Sequence, residues 1–254
     1  LTLTYDDLLK RPQVEKTATL VCVSNIIGDH LVGNARWQGV LLADILREAG
    51  VQAAAEQVFS TSADGWTSGF PVEAALDDRT ALIAIGMNGT PLPIEHGFPA
   101  RLVVPGLYGY VSATKWVTDI KLTTWAADTG YWIPRSWSRL GPIEMGSRID
   151  VPRRASSVQA GPVVLGGVAW AHREGISRVE VRINDGPWAD AVLDDRGELD
   201  TWRQWHFAWD ALKGRHKVTV RATSGSGTLQ TEQQRSPGPD GATGWHARWI
   251  KVRS

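Results

Sequence analysis

The chain has 254 residues, enough for one large domain or two ordinary ones with real cores. Its 27 basic and 27 acidic residues cancel, so net charge offers no argument for a nucleic-acid or membrane-surface partner, and no nucleic-acid partner is expected. A single cysteine excludes an internal disulfide and leaves the redox compartment open, no apolar run reaches membrane-span length, and no signal peptide is visible.

The opening LTLTYDDLLK lacks Met and already looks structured, which suggests an excerpt of a longer protein. TATLVCV (17–23) then reads as a strand, with Cys22 near its end and turn-like residues beyond. GVLLADILREAG sets Leu41, Leu42, Ile45, Leu46 and Ala49 on one face at helical spacing, and Gly50 is a good stop. EQVFSTSADGW is a strand running into a turn at Asp64–Gly65. TALIAIGMNGTPLP is a strand followed by an Asn88–Gly89 hairpin turn, and ARLVVPG is a short apolar strand. KWVTDIKLTTW alternates in the manner of a strand, and residues 130–155 lose periodicity and read as a surface connector rich in proline, glycine and arginine.

Beyond the connector the pattern is all β: GPVVLGGVAWA, SRVEVRIN with a DGPW turn and ADAVL return, TWRQWHFAWD, HKVTVRATS and WHARWIKVRS. Short strands with turn signals over about 100 residues suggest an immunoglobulin-like sandwich. The expected fold is therefore α+β over residues 1–148 and an all-β sandwich over 149–254. The 13 tryptophans are spread along the chain, as core and interface mass would be, rather than gathered in one binding box.

Two features carry possible chemistry. Cys22 is either an inert packing residue or a soft thiolate that ligates a metal or acts as a nucleophile. EHGFPARLVVPGLYGYVSATKW (95–116) sets His96, Arg101 and Lys115 among glycines and hydroxyls. It reads as a glycine-rich turn with surface cations or as an anion site in which backbone N–H groups and cations meet a phosphate. The spacing is not that of a nucleotide-binding P-loop. No two of the six histidines have zinc-site spacing, and neither G-x-S-x-G nor C-x-x-C-H occurs.

LVCVSN, ARWQGVLLADIL and MNGTPLPIEHGFPARLVVPGLYGYVSATKWVTDIKL, in that order, resemble the molybdopterin-binding domain of the sulfite oxidase family. GPVVLGGVAWAHREGISRVEVRINDGPW, TWRQWHFAW and TGWHARWIKV are similar to its C-terminal immunoglobulin-like dimerisation domain. The resemblance covers nearly the whole chain and begins partway into the catalytic domain. It implies Mo-molybdopterin as cofactor, with Cys22 as the molybdenum ligand and catalytic centre. It implies cofactor contacts at Asp64, His96, Arg101, Ser112, Thr114 and Lys115. It further implies two-electron oxygen-atom transfer on a small-molecule substrate and a separate electron acceptor, such as a cytochrome or quinone-linked protein. A homodimer and an extracytoplasmic bacterial setting, periplasmic or membrane-tethered through a preceding region, complete the expectation.

Two departures bear on the substrate. The family's basic residues after the Asn are Ile26 and Ile27 here, and an isoleucine cannot neutralise sulfite. The family's active-site tyrosine falls near Trp137. Arg36, Arg135 and Arg139 are candidates for the missing charge, each also readable as a solvated surface arginine. Two alternatives stand beside the enzyme reading: a non-catalytic relative serving as a binding or assembly module, and a cysteine-nucleophile enzyme.

Overall fold

Alternating apolar residues and well-placed turn glycines make strand the dominant regular structure of this chain. The computed structural model describes residues 1–153, 156–195 and 197–254. By its internal contacts the chain divides into two units. The first comprises Leu1–Val23, Val32–Ile143 and Gly238–Asp240, and the second Ser24–Leu31, Glu144–Pro237 and Gly241–Ser254.

The first unit contains helix α1 (Tyr5–Lys10), strands β1 (Val14–Val21) and β2 (Val32–Leu41), helix α2 (Leu42–Ala49), strands β3 (Gln57–Ser62) and β4 (Thr67–Pro71), and helix α3 (Glu73–Leu76). Strands β5 (Leu82–Met87), β6 (Thr90–Pro91) and β7 (Arg101–Val103), helix α4 (Gly109–Ser112) and strand β8 (Val117–Thr123) follow. One sheet runs β1-β2-β5-β6 with β7 also pairing β5, and a second runs β4-β3-β8. The Asn88–Gly89 turn joins β5 to β6 in a two-residue hairpin, both residues at positive φ (54° and 83°), the combination that Asn-Gly supplies at least cost. In α2 the apolar face buries Leu42, Ala43, Ile45 and Leu46, while Ala49 is exposed. Each of the three larger side chains gains roughly 1.5–3 kcal/mol by leaving water. They pack with Val58, Phe70, Leu102 and Val111. The helix stops at Gly50, whose φ of 94° suits glycine.

The second unit contains β9 (Gly146–Val151), β10 (Ser157–Gln159), β11 (Gly161–Trp170), β12 (Ile176–Ile183), β13 (Trp188–Asp190), β14 (Val192–Leu193), β15 (Arg203–Ala211), β16 (Gly214–Ser224) and β17 (His246–Arg253). A five-stranded sheet β10-β17-β16-β12-β13 and a four-stranded sheet β14-β15-β11-β9 share one core, with Leu165, Val179, Trp205, Val218 and Ile250 at its centre. Strand β9 corrects the reading of residues 130–155 as a surface connector without periodicity, since Gly146–Val151 pairs into a sheet. The alternation in GSRIDV is short and framed by proline and glycine, so its pairing with β11 is the decisive signal.

Candidate functional site

Strand β1 ends at Val21, and Cys22 follows it as a free, exposed thiol. The thiol is therefore not core filler. A Cβ built on Gly109, the first residue of α4, would lie 4.0 Å from the Val21 carbonyl oxygen, so the short helix starts beside the end of β1. At the other end of α4 the Ala113 carbonyl accepts a hydrogen bond from Arg101 Nη2 (3.3 Å). Helix α4 thus links the surroundings of Cys22 to those of Arg101, two residues 79 positions apart in sequence.

Arg101 is the electrostatic anomaly of this unit. It is 6% exposed, on β7, with its guanidinium stacked 5.0 Å from the centroid of the buried Trp37 ring. Its N–H groups donate to the carbonyls of His96 (3.0 Å), Ala113 (3.3 Å) and Leu102 (3.4 Å), and no carboxylate neutralises it among the described residues. Burial alone pulls its pKa down to about 10. A buried cation held by carbonyl dipoles and lacking a counter-charge is a ready receptor for an anion.

Around it, residues 94–101 and 113–117 are laced together. Lys115 Nζ donates to the Glu95 carbonyl (2.9 Å), Trp116 Nε1 to that of Ile94 (2.7 Å), and the Val117 N–H to that of Ala100 (3.0 Å). Gly97, at φ 111°, permits the crossing, since a Cβ there would stand 3.0 Å and 3.1 Å from the Cβ atoms of Arg101 and Lys115. His96 is exposed on this lacing and Lys115 half-buried. Asp64 joins them: the Ala63 N–H donates to the Trp116 carbonyl (2.9 Å). The Asp64 carboxylate accepts from the Trp66 N–H (3.0 Å). That bond, then the Ser62 hydroxyl and the charge of Lys115, hold it below the usual carboxylate range. The structure therefore gathers Asp64, His96, Arg101 and Lys115 at one place.

Ser112 and Thr114, the other two expected cofactor contacts, lie in the turn that leads to Lys115. Both are fully buried. Ser112 Oγ donates to the Leu107 and Tyr108 carbonyls (3.1 and 2.9 Å), and Thr114 Oγ1 is bonded to the hydroxyls of Ser60 (2.7 Å) and Ser68 (2.9 Å). Their hydroxyls are committed to shaping the turn that carries Lys115. Tyr110, which the sequence reading passed over, sits one residue into α4. Its hydroxyl donates to the Ser138 carbonyl, its ring packs 5.9 Å from that of Trp137, and burial with the nearby Asp240 pushes its pKa up to about 12. Arg36, Arg135 and Arg139 are surface groups, ion-paired with Glu15 (3.8 Å) or stacked on Tyr131 and Trp125 (3.6 and 5.2 Å).

Residues Ser24–Leu31 group with the second unit and form a tight loop there. The buried Asn25 side chain accepts from the Leu31 N–H (2.8 Å), and Gly28 (φ 79°) lies so close to His246 that a Cβ would stand 2.3 Å from its Nε2. Ile26, 53% exposed, and Ile27 line a cleft of about 640 Å³ with Asp29, Asp150, Arg153, His246, Arg248 and Trp249.

Among the described residues no group of three His, Cys, Asp or Glu side chains is placed to hold a metal ion. One thiol cannot retain a bare ion, but it suffices for a metal that arrives already chelated by a dithiolene, and the unneutralised Arg101 suits the anionic tail of such a chelator. The donor set therefore fits Mo-molybdopterin. The architecture and this pairing of soft ligand with anion receptor define an oxidoreductase domain of the pterin-metal class. The chain belongs to the oxidoreductase molybdopterin binding domain family, whose model matches residues 1–132. Mo-molybdopterin is the cofactor this membership implies. The chain is 26% identical to the mitochondrial sulfite oxidase of Homo sapiens over 266 residues, covering 87% of this chain and 48% of the human one. It is 38% identical over 130 residues to the uncharacterized oxidoreductase YuiH of Bacillus subtilis, covering 51% of this chain and 62% of that relative. The crystal structure of the sulfane dehydrogenase SoxCD from Paracoccus pantotrophus superposes with a TM-score of 0.85 at 25% identity, over 99% of this chain and 72% of that one. The chain thus spans about half the length of the human relative.

Proposed function

We propose that the whole protein is a Mo-molybdopterin oxidoreductase performing two-electron oxygen-atom transfer on a small substrate, sulfite oxidase-like but not a strict sulfite oxidase. The observation that carries this is the exposed Cys22 thiol at one end of α4 and the unneutralised Arg101 at the other. The cofactor, when bound, supplies the redox chemistry. The chain's own residues bind and orient it. Cys22 is assigned as the thiolate ligand. Arg101, His96 and Lys115 meet the anionic tail. Asp64, kept ionised, accepts hydrogen bonds from N–H donors of the pterin.

The substrate reading rests on Ile26 and Ile27, which present an apolar surface four and five residues after Cys22. An isoleucine cannot neutralise a doubly charged oxyanion as a basic residue at the same position would, and the arginines of their cleft, Arg153 and Arg248, share it with Asp29 and Asp150. The relatives' names carry sulfite and sulfane, and a sulfur-centred donor of low charge fits both those names and the isoleucines. Electrons then pass to a separate acceptor, a cytochrome or quinone-linked protein. The second unit's two-sheet sandwich serves as an immunoglobulin-like homodimerisation module, and the setting is extracytoplasmic.

The test is molybdenum content of the full-length protein from a cofactor-competent host, wild type against Cys22→Ser. Stoichiometric metal that falls to background in the variant is the expected result. Metal absent from the wild type would favour the non-catalytic binding module. Steady-state assays of the loaded enzyme, sulfite against neutral S-oxides and N-oxides, then address the substrate; a strong preference for sulfite would overturn the reading of the isoleucines.

A further inference from the structure

Balanced net charge conceals a strongly one-signed surface on the second unit. Cross-strand partners in a sheet point to the same face, and on the β16–β17 pair the register sets Lys217 opposite Trp249 and Arg215 opposite Lys251. Arg253 lies two residues further along β17 on the same face, and Lys213 sits in the turn that feeds β16. All five cations are exposed, and none pairs with a carboxylate among the described residues. The acidic side chains of this sheet face, Glu180 and Asp190, lie toward its other edge and are engaged by Arg178 and Arg221. Two large apolar side chains stand among the cations: Trp249, 57% exposed with the Arg215 guanidinium 4.7 Å from its ring centroid, and Leu212, 71% exposed at the turn.

We propose that this face is a docking surface for an anionic phospholipid bilayer. A flat basic sheet with an interfacial tryptophan and a protruding leucine combines the two attractions such a surface offers, electrostatic pull on cations and partial burial of amphipathic or apolar side chains. The composition favours a bilayer over other anionic partners. Three of the five cations are lysines, which protein–protein interfaces deplete, whereas a charged lipid surface attracts Lys and Arg alike. A single-stranded nucleic acid needs a series of free aromatic platforms. Trp188 and Trp245, toward the other edge of this face, are half-buried, packed edge-to-face on each other at 5.1 Å and covered by Arg182 and Arg221, which leaves the exposed Trp249, itself against Arg215. A second copy of the chain would bring the same cations face to face across a two-fold axis. A homodimer of the second unit therefore uses another face. The proposal does not depend on the molybdenum reading.

The experiment is co-sedimentation of the full chain with vesicles of phosphatidylglycerol and phosphatidylcholine in equal parts, against vesicles of pure phosphatidylcholine, at low and high salt. Binding to the anionic vesicles is expected to fall steeply with salt and to be absent from the neutral ones. Each cation near the surface is worth about fivefold in affinity, so Lys217→Glu with Lys251→Glu should weaken binding about 25-fold or more. Lys10→Glu, an exposed charge on the first unit, should change it by less than about twofold. Trp249→Ala should weaken binding while leaving its salt dependence intact. Equal binding to both vesicle types would overturn the proposal. So would insensitivity to the paired reversal, comparable affinity for single-stranded DNA by fluorescence anisotropy, or a light-scattering change from dimer to monomer on the paired reversal. Circular dichroism of each variant separates loss of binding from loss of fold, and the salt series on wild type needs no variant.

Discussion

Arg101→Leu separates an anion receptor from a structural strut. A cation whose folded pKa lies below its unfolded value is disfavoured in the fold, and the cost is present in full at every pH below the folded value. For Arg101, moved from 12.5 to about 10, that cost at neutral pH is about 3 kcal/mol, vanishing only as pH rises through 10 toward 12.5. Leucine removes the cost. It also removes the donors to the His96 and Ala113 carbonyls, worth about 1–2 kcal/mol each, and a stacking contact worth about 1 kcal/mol. The two sides nearly cancel, so the metal-free variant should lie within about 2 kcal/mol of wild type by denaturant unfolding. An arriving phosphate repays the desolvation only when the guanidinium is present. Cofactor-loaded wild type should therefore melt well above its metal-free form, while the variant gains little and retains little molybdenum. A metal-free variant destabilised by more than about 4 kcal/mol would show that Arg101 is a strut and refute the reasoning.

Other consequences are open to measurement. Cys22→Ser, at an exposed position, should leave unfolding free energy within about 0.5 kcal/mol of wild type while abolishing molybdenum retention, a split that a packing role would not produce. Thr114→Val strips Ser60 and Ser68 of a shared partner inside the core and should cost about 1–3 kcal/mol; full stability in urea titration would mean the three hydroxyls are not coupled as drawn. Gly28→Ala forces a side chain into His246 at positive φ and should destabilise the second unit by about 1–3 kcal/mol, with faster amide exchange expected across residues 24–31. His172 has both ring nitrogens buried without hydrogen-bond partners among the described residues, and burial, opposed by the nearby Asp200, brings its pKa down to about 4. Its folded pKa is below its unfolded one, so stability should be lost as pH falls from about 6.5 toward 4, up to about 3 kcal/mol, and His172→Phe should flatten that limb in denaturant titrations.

Much of the chain was legible because the deciding interactions are local. The Asn88–Gly89 turn, helix α2 with its Gly50 stop, and the alternating strands from 161 onward rest on dihedral preference and periodicity, which neighbours in sequence suffice to express. The motif order likewise marks a molybdopterin-binding domain. What stayed hidden depends on contacts between distant segments. Strand β9 becomes visible through its pairing with β11, and the loop after Cys22 through its packing on His246. The hydroxyl cluster of Thr114, Ser60 and Ser68 likewise joins residues from three separate segments.

The sequence by itself determined the strand-rich composition, the two-part order of the chain and the single thiol available to a metal. The tertiary structure decided the electrostatics. Whether an arginine is a solvated surface group or an unneutralised cation depends on how much water is removed around it, and that is fixed for Arg101 by Trp37 and two carbonyls from different segments. Whether 27 positive and 27 negative charges mix or segregate depends on strand register, which set Arg215, Lys217, Lys251 and Arg253 on one face. Coulomb energies follow distances in space, and those distances exist only once the strands have paired.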